Sequence, residues 1–502
     1  MSGRVARQVE RILDERPDKT VGVIVHMGDP AGDQDGVLAT ALERNEDSAL
    51  RARAVLPEAV RVSRTAAIMN GANGGGVPNL RPEVANVAAV DGAAPSMDVL
   101  RRGNLSALAP LLEAEPVRRA RASRPGAVAE FWTSRSAYLE LDRDELARLP
   151  LETPGVSEVF FNSTVFLPVV SRARDLPAAV VENSASSWGI TMTGALAVWG
   201  AYGARGKGVT VGVLDTGVDP SHPDLRDKVV KWAEFDGQGQ QLANSVPHDS
   251  GSHGTHVCGT IAGGNASGQW IGMAPEAKLA VALVLNERSG THAQVLAGIH
   301  WAVEQGVDVL SMSLSSPVFD HEAPAAYTEA FRACLRAGIP VVAAIGNQGE
   351  QTGASTGSDF FAFAAGATDY RDIPAGFSGG LTQVVLESTF IPSQFLPLIY
   401  IKPDISAPGV DVTSSIPGGT WEAFSGTSMA TPHVAGAMAL LFSAVPEIRT
   451  LSGAKRAIFI EDLLKGSVDD LGEAGHDCRY GFGRLNTLRA VALAKNTPLP
   501  TV

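Results

Sequence analysis

Apolar and polar positions fall into two regimes along the chain. In the first third the apolar runs are short and separated. Thr20–Met27 (TVGVIVHM) is a compact β-branched run and predicts a buried strand. Residues 136–142 (SAYLELD) alternate as a strand does. The DRDELARL stretch that follows predicts a helix, with Asp142 as N-cap and Glu145 three residues on in a capping-box pattern. Gly155–Phe161 (GVSEVFF) predicts a further strand. Strand, helix, strand in this order predicts a small α+β domain, to whose sheet Thr20–Met27 also belongs. Residues 4–16 predict a short polar helix, and 47–62 mix helix formers around Pro57, which interrupts any helix there. Residues 71–126, rich in Gly, Ala, Pro and Arg, predict loops with one short helix near 105–115. Their arginines Arg118, Arg119, Arg121 and Arg124 read as a solvated face or loop, with a processing site as the alternative. Residues 168–187 predict an exposed linker.

From Trp188 onward the pattern changes. Val209–Leu214 is almost wholly apolar, as a strand buried on both faces requires, and Lys278–Leu285, Val307–Leu314 and Ile339–Ile345 repeat that character. Helix-like stretches lie between them, among them Thr291–Gln305 and Ala325–Ala337. Alternation of this kind predicts an α/β unit with a parallel sheet covered on both sides. No repeat of 20–50 residues is present.

Composition narrows the class. At 502 residues and 45% hydrophobic content the chain can bury ample core, and wholesale disorder is excluded. The net charge is −13, about −3 on residues 1–184 and −10 on the remainder, and no basic block dominates. Nucleic-acid binding is therefore not expected. Three cysteines, Cys258, Cys334 and Cys478, are no disulfide framework. The first residues lack an apolar signal core and no run of eighteen apolar residues occurs, so neither secretion nor membrane insertion is expected and a cytoplasmic location is.

Four segments carry chemistry. VGVLDTGVD sets Asp215 at the end of a buried strand, where ligands of α/β sheets gather. SGSHGTHVCGTIAG sets His253 between two glycines before an apolar helix. FSGTSMATPHVAGAMALLFSA sets Ser428 before a long apolar helix, with Pro432 in its first turn. VVAAIGNQG ends a buried strand at Asn347. Singly, these read as a turn aspartate, a structural histidine and an N-cap serine. Together they supply a hydroxyl that needs a base, an imidazole of suitable pKa, a carboxylate to orient it, and amide and helix N–H groups for an oxyanion.

On these strings, with GMAPEAKL, SMSLSS, DISAPG and YGFGRLN, residues 188–492 resemble the subtilisin-like serine proteases, the subtilases, whose triad runs Asp, His, Ser along the chain. The resemblance implies a three-layer α/β fold with a mostly parallel sheet and an endopeptidase working through an acyl-enzyme. It implies Asp215, His253 and Ser428 as the triad and Asn347 as oxyanion donor. Ser313, Leu314 and Ser315 correspond to the edge strand that pairs with substrate, and Ala344–Ile345–Gly346 to the opposite wall of the specificity pocket. Ser315 and Ile345, bulkier than the family norm, imply a narrower cleft and an altered pocket. No cofactor is needed for the chemistry. Calcium is implied as a structural ion at Asp224, although the facing loop carries Ala266 where a side-chain amide would serve. Cys258 falls one place beyond the cysteine of some subtilases and reads as a buried thiol. Residues 379–402, an apolar insertion, read as a hairpin docked on the body or a partner surface.

The strand–helix–strand segment resembles the family's inhibitory propeptide, a small α+β, ferredoxin-like module. The implied organisation is 1–167 propeptide-like domain, 168–187 linker and processing region, and 188–502 catalytic domain. The implied partners are a protein or peptide substrate and the chain's own N-terminal domain as intramolecular inhibitor. The alternatives are a catalytically silent scaffold and a protease whose attached N-terminal domain recruits a substrate or regulator.

Overall fold

The computed structural model describes residues 3–15, 20–28, 97–172, 185–319, 325–386, 388, 391, 395–451 and 453–496. The readings of 47–62 and of 71–96 lie outside these residues.

The N-terminal unit is a four-stranded antiparallel sheet. Its strands are β1 (Thr20–Met27), β2 (Val128–Phe131), β3 (Ser136–Asp142) and β4 (Val156–Phe161), in the order β2-β3-β1-β4. Helices α1 (Gly3–Glu15), α2 (Met97–Glu113), α3 (Glu115–Ser123) and α4 (Arg143–Glu152) accompany it. Strand alternation sorts the side chains. Val21, Val23 and Val25 of β1 and Ala137, Leu139 and Leu141 of β3 share a core with Leu108, Leu111, Val117, Leu146 and Leu149 of the helices. Ile24, Phe131 and Tyr138 point the other way, into a core shared with the larger unit. The capping box of α4 forms as its sequence predicts: the Glu145 amide donates to Asp142 Oδ1 at 2.7 Å and the Asp142 amide donates to Glu145 Oε2 at 2.8 Å.

Residues 97–123 differ from the sequence reading, which gives them one short helix in loops. They form two helices, because Leu108 and Leu111, then Val117 and Ala120, recur at helical spacing and bury against the sheet, which outweighs Pro110 and the arginines. Pro116 falls in the first turn of α3, where it is tolerated. The arginines lie along that helix and just beyond it, and three pair with Glu115, Glu130 and Glu145.

The larger unit is built on a seven-stranded parallel sheet, as its apolar runs predict. In chain order its strands are β7 (Thr210–Asp215), β8 (Val229–Glu234), β9 (Lys278–Leu283), β11 (Val309–Met312), β12 (Val341–Ala344), β13 (Phe363–Thr368) and β16 (Ile405–Pro408). Across the sheet they run β16-β13-β12-β11-β7-β9-β8. Smaller strands are β5 (Thr164–Phe166), β6 (Ser171–Arg172), β10 (Ser289–Thr291), β14 (Leu381–Val385), β15 (Leu398–Lys402), β17 (Val412–Ile416) and β18 (Thr420–Ser425). One core joins the sheet to α5 (Trp188–Met192), α6 (Ala195–Tyr202), α7 (His253–Ala262) and α10 (Thr427–Ala444), and the other joins it to α8 (His292–Gln305) and α9 (Thr328–Arg336). Helix α10 carries no charged residue and is buried at every position but Ser443, as a central helix must be. The insertion is a hairpin: β14 and β15 pair antiparallel, and Leu398 and Tyr400 bury against the body, with Tyr400 Oη donating to the Ser358 carbonyl at 2.7 Å.

The N-terminal sheet lies on α8 and α9. At their junction Arg135 Nη2 pairs with Glu329 Oε2 at 2.5 Å with both side chains buried, and Trp132 Nε1 donates to Glu304 Oε1 at 3.1 Å. The chain then leaves β4 and runs along the carboxyl edge of the large sheet. β5 pairs with β10, and β6 pairs with β18. The described ends of the 168–187 stretch are thus docked, against the exposed linker of the sequence reading: Pro168 lies buried, and Ser186 and Ser187 are buried beside Trp270, whose carbonyl accepts the Ser187 amide at 2.7 Å. Backbone pairing with existing edges outweighs the polar composition. Residues 173–184 lie outside the described set.

Candidate active site

Asp215 ends β7 and His253 begins α7, and both are buried. His253 Nδ1 donates to Asp215 Oδ1 at 2.8 Å and Oδ2 at 3.0 Å, and the Thr216 amide donates to Oδ1 at 2.7 Å. A carboxylate only accepts, so the imidazole proton sits on Nδ1 and the Nε2 lone pair is free to take another. Two glycines allow the approach. A Cβ on Gly254 would lie 2.0 Å from the Gly217 carbonyl, and one on Gly217, itself at φ +111, would lie 2.0 Å from that of His248. Asp249, which the sequence reading missed, ties the two segments together. Its Oδ1 accepts from Thr216 Oγ1 at 2.7 Å and its Oδ2 from the Thr255 amide at 2.8 Å, inside the first turn of α7. The legible signal was an aspartate four residues before His253, just ahead of a helix start.

Ser428 is the second residue of α10. Pro432 stands in the second turn of that helix, not the first, and has no N–H for the carbonyl four residues back, that of Ser428. Ser313 Oγ takes the vacancy and donates to the Ser428 carbonyl at 3.0 Å, while Ser428 Oγ donates to the Ser313 carbonyl at 3.5 Å. The start of α10 is thereby clamped to the end of β11. His253 Nε2 is buried with no hydrogen-bond partner among the described residues.

Asn347 follows β12 through Gly346, whose φ of +111 favours glycine. Its Oδ1 accepts from the Thr427 amide at 2.8 Å and Thr427 Oγ1 at 2.7 Å, which fixes the amide's orientation. Its Nδ2 then faces the cleft and donates to the Val169 carbonyl at 2.9 Å. Thr427 is a second residue that the sequence reading missed, hidden inside the serine's own motif. Of the expected substrate strand, Ser313 and Leu314 are fully buried and Ser315 exchanges both backbone bonds with Phe166, at 3.0 and 3.2 Å. The Ser315 hydroxyl turns to the Ser316 carbonyl at 2.9 Å, and Ile345 is fully buried. The chain's own segment 164–172 therefore runs along the edge that the sequence reading assigned to substrate. Val169 exposes 67% of its surface, so its carbonyl meets Asn347 while its side chain stays out of any pocket.

The residues at Asp224 do not fit calcium. Both carboxylate oxygens already accept N–H groups, Oδ2 from Trp421 Nε1 at 2.7 Å and Oδ1 from the Ala266 amide at 2.6 Å. The adjoining cavity of about 420 Å³ is bordered by Arg205, Arg226 and Lys228, cations that repel another, and its one further carboxylate, Glu276, already pairs with Arg205 at 3.4 Å. Among the described residues no three His, Cys, Asp or Glu side chains cluster as metal ligands. The other histidines in the motifs pack. His256 Nε2 faces the Val412 carbonyl at 2.9 Å, and burial lowers its pKa to about 3; His433 Nδ1 faces the Met429 carbonyl at 2.8 Å, and burial lowers it to about 4. Burial pushes the Cys258 thiol well above its usual range, so it stays an inert core group.

A buried Asp–His pair at the carboxyl edge of a parallel sheet, with a serine at a helix start and a fixed amide beside it, defines a serine-hydrolase type of centre. The Subtilase family model matches residues 206–483, and the chain belongs to that family. It is 38% identical over 256 residues to an "Intracellular serine protease" of Paenibacillus polymyxa, covering 50% of this chain and 72% of that protein. It is 35% identical over 287 residues to Subtilisin DY of Bacillus licheniformis, covering 57% and 92%. It is 36% identical over 259 residues to the "Major intracellular serine protease" of Bacillus subtilis (strain 168), covering 51% and 74%. The protein is thus a subtilisin-like serine endopeptidase acting on protein or peptide substrates. No helix among the described residues is long and apolar enough to cross a membrane.

Proposed function

We propose that Ser428 is the nucleophile, His253 its base, Asp215 the group that orients the base, and Asn347 the oxyanion donor, in a protease made as a zymogen. Ser428 Oγ first rotates from the Ser313 carbonyl towards His253 Nε2. It then attacks the scissile carbonyl carbon and gives its proton to Nε2. The oxyanion takes hydrogen bonds from Asn347 Nδ2 and the N–H groups at the start of α10. Collapse breaks the C–N bond, and Nε2 returns the proton to the leaving amine. Water, deprotonated by His253, then hydrolyses the acyl-enzyme and frees Ser428. Asp215 holds the ring by its Nδ1–H and stabilises the imidazolium that forms.

In this reading residues 1–167 act as the intramolecular inhibitor, 168–187 contain the processing region, and 188–502 form the catalytic domain. The observation that carries it is the Val169 carbonyl held at 2.9 Å by Asn347 Nδ2, with the flanking chain paired into the cleft on both sides. A segment held in this way excludes substrate. The exposed Val169 side chain and the turned Ser428 fit a blocked state better than a reacting one. Two relatives named as intracellular support a cytoplasmic location.

The test uses the full chain and Ser428→Ala side by side, with casein and with intact-mass measurement. The wild type should digest casein and shed its N-terminal segment with time. The variant should do neither, a loss on the order of 10⁶-fold in kcat, the size seen when a subtilisin loses its serine. Equal casein hydrolysis by both proteins would overturn the assignment. Casein hydrolysis without shedding would overturn processing while leaving the nucleophile in place.

A further inference from the structure

The segment lying in the cleft ends on a contact that pairing of backbone alone does not require. Ser171 and Arg172 pair antiparallel with Ser425 and Phe424 of β18, so Arg172 is the third residue beyond Val169, whose carbonyl meets Asn347. Backbone pairing holds any sequence at this edge. The Arg172 guanidinium nevertheless finds three separate partners. Nη1 lies 3.3 Å from Glu422 Oε2, Nη2 donates to Ser252 Oγ at 3.2 Å, and the guanidinium carbon sits 5.1 Å from the centre of the Phe424 ring. A carboxylate, a hydroxyl and an aromatic face around one planar cation form a recognition set suited to arginine, since lysine offers no plane to stack and no fork to share.

The set lies on the catalytic unit and persists when the segment leaves. Glu422 and Phe424 belong to β18, four and two residues before Gly426 at the turn into α10, and Ser252 immediately precedes His253. Glu422 is also positioned from behind, because its backbone carbonyl faces His256 Nε2 at 3.1 Å. Residues 185–502 carry about −10 of the chain's net charge of −13, a long-range field that favours a cationic ligand.

We propose that Glu422, Phe424 and Ser252 form a subsite for an arginine three residues to the carboxyl side of the bond that the enzyme cuts, and that the zymogen segment occupies this subsite with Arg172. The inference rests on the reading of Val169 as the residue aligned with the oxyanion donor. Preferred substrates are then peptides with a basic residue downstream of the cut. The ion pair is partly exposed, so its effect is modest: an exposed pair together with one cation–π contact corresponds to about a threefold to tenfold preference.

The full-length enzyme is given an equimolar mixture of peptides Thr-Val-Phe-Leu-Pro-Val-Val-Ser-Xaa-Ala, with Xaa Arg, Lys, Ala or Glu, and products are read by mass spectrometry. Competition in one tube makes the ratios independent of how much enzyme is active. The expected order is Arg, then Lys, then Ala, then Glu, with Arg over Ala at threefold to tenfold. In Glu422→Gln the Arg preference should shrink towards unity, and in Glu422→Arg the Glu peptide should overtake it. Equal rates for Arg, Ala and Glu in the wild type, or an unchanged order in Glu422→Arg, would overturn the subsite. The product masses test the underlying alignment separately: a cut elsewhere than Val-Val shows that the register read from Val169 is wrong. Failure to cut casein as well would remove the protease reading itself, and the subsite with it.

Discussion

At the scale of single residues the centre depends on groups that hold other groups. Asn347 is aimed by Thr427, His253 by Asp215, and the start of α10 by Ser313. In the proposed mechanism Asn347→Ala removes one oxyanion donor, and kcat should then fall by roughly 10²–10³ with KM little changed, read from steady-state hydrolysis of a peptide ester. A comparable rise in KM at constant kcat would show that Asn347 binds the ground state only. Gly254 gives a sharper steric case. An alanine there meets the Gly217 carbonyl at 2.0 Å and must displace His253 from Asp215, whereas alanine at Gly200 meets nothing within 4 Å. Gly254→Ala should lose most activity and Gly200→Ala should keep it. Asp215, His253 and Ser428, the proposed triad, could be named from the sequence because each stands in a dense string of glycine and small residues. Asp249, Thr427 and the Ser313 clamp were not legible, because an aspartate, a threonine and a serine are ordinary capping residues until their partners are known.

At the scale of elements the proposed block rests on the junction between the N-terminal sheet and α9, which would keep the cleft segment seated. Arg135 and Glu329 are buried there, and removing one member of a buried pair costs about 3–5 kcal/mol because the other is left in low dielectric. Arg332 also reaches Glu329 at 3.4 Å and tempers that cost. Arg135→Ala should therefore loosen the N-terminal unit and raise initial casein hydrolysis over wild type; an unchanged initial rate would show that docking does not limit activity. The site at Asp224 makes a contrasting case. The Trp421 indole N–H occupies the position of a cation's charge, so Trp421→Phe leaves a buried carboxylate oxygen without its donor, at about 1–3 kcal/mol. Its Tm should fall, and millimolar calcium should not restore it; restoration would mean that the site accepts the ion after all. This departure was half visible in the sequence, at Ala266. What was invisible was the tryptophan, about 200 residues away. The helices over 97–123 were missed for a related reason: their stability comes from burial against a sheet that local composition does not report.

At the scale of the molecule, burial of histidine sets the acid limit. Burial lowers the pKa values of His26, His292, His433 and His476 to about 4 and that of His256 to about 3. Unfolded histidine titrates near 6.5, so below that pH the unfolded chain takes up protons that the folded chain refuses. Their contribution is fully present above about pH 6.5 and is lost as the pH falls towards 4. Asp359, raised to about 6 by burial, acts in the opposite sense between about 6 and 3.8, and burial raises Asp470 and Asp477 in that same sense, but the five histidines carry the larger shifts and His300 is lowered with them. Thermal melts should give a Tm that is level above pH 7 and drops steadily from 6.5 to 4, as the free energy of unfolding falls by several kcal/mol in total. A Tm constant from pH 7 to pH 5 would contradict this.

The central claim is that Ser428 is an activated nucleophile lying beneath the chain's own segment. Fluorophosphonate labelling of the intact chain, and of the Arg135→Ala chain whose N-terminal unit is loosened, tests it most directly. The expected result is weak labelling of the intact chain, strong labelling of Arg135→Ala, and a modified peptide that contains Ser428 and is absent in Ser428→Ala. Absence of Ser428-dependent label in both forms would contradict the nucleophile, and equal labelling in both would contradict the block.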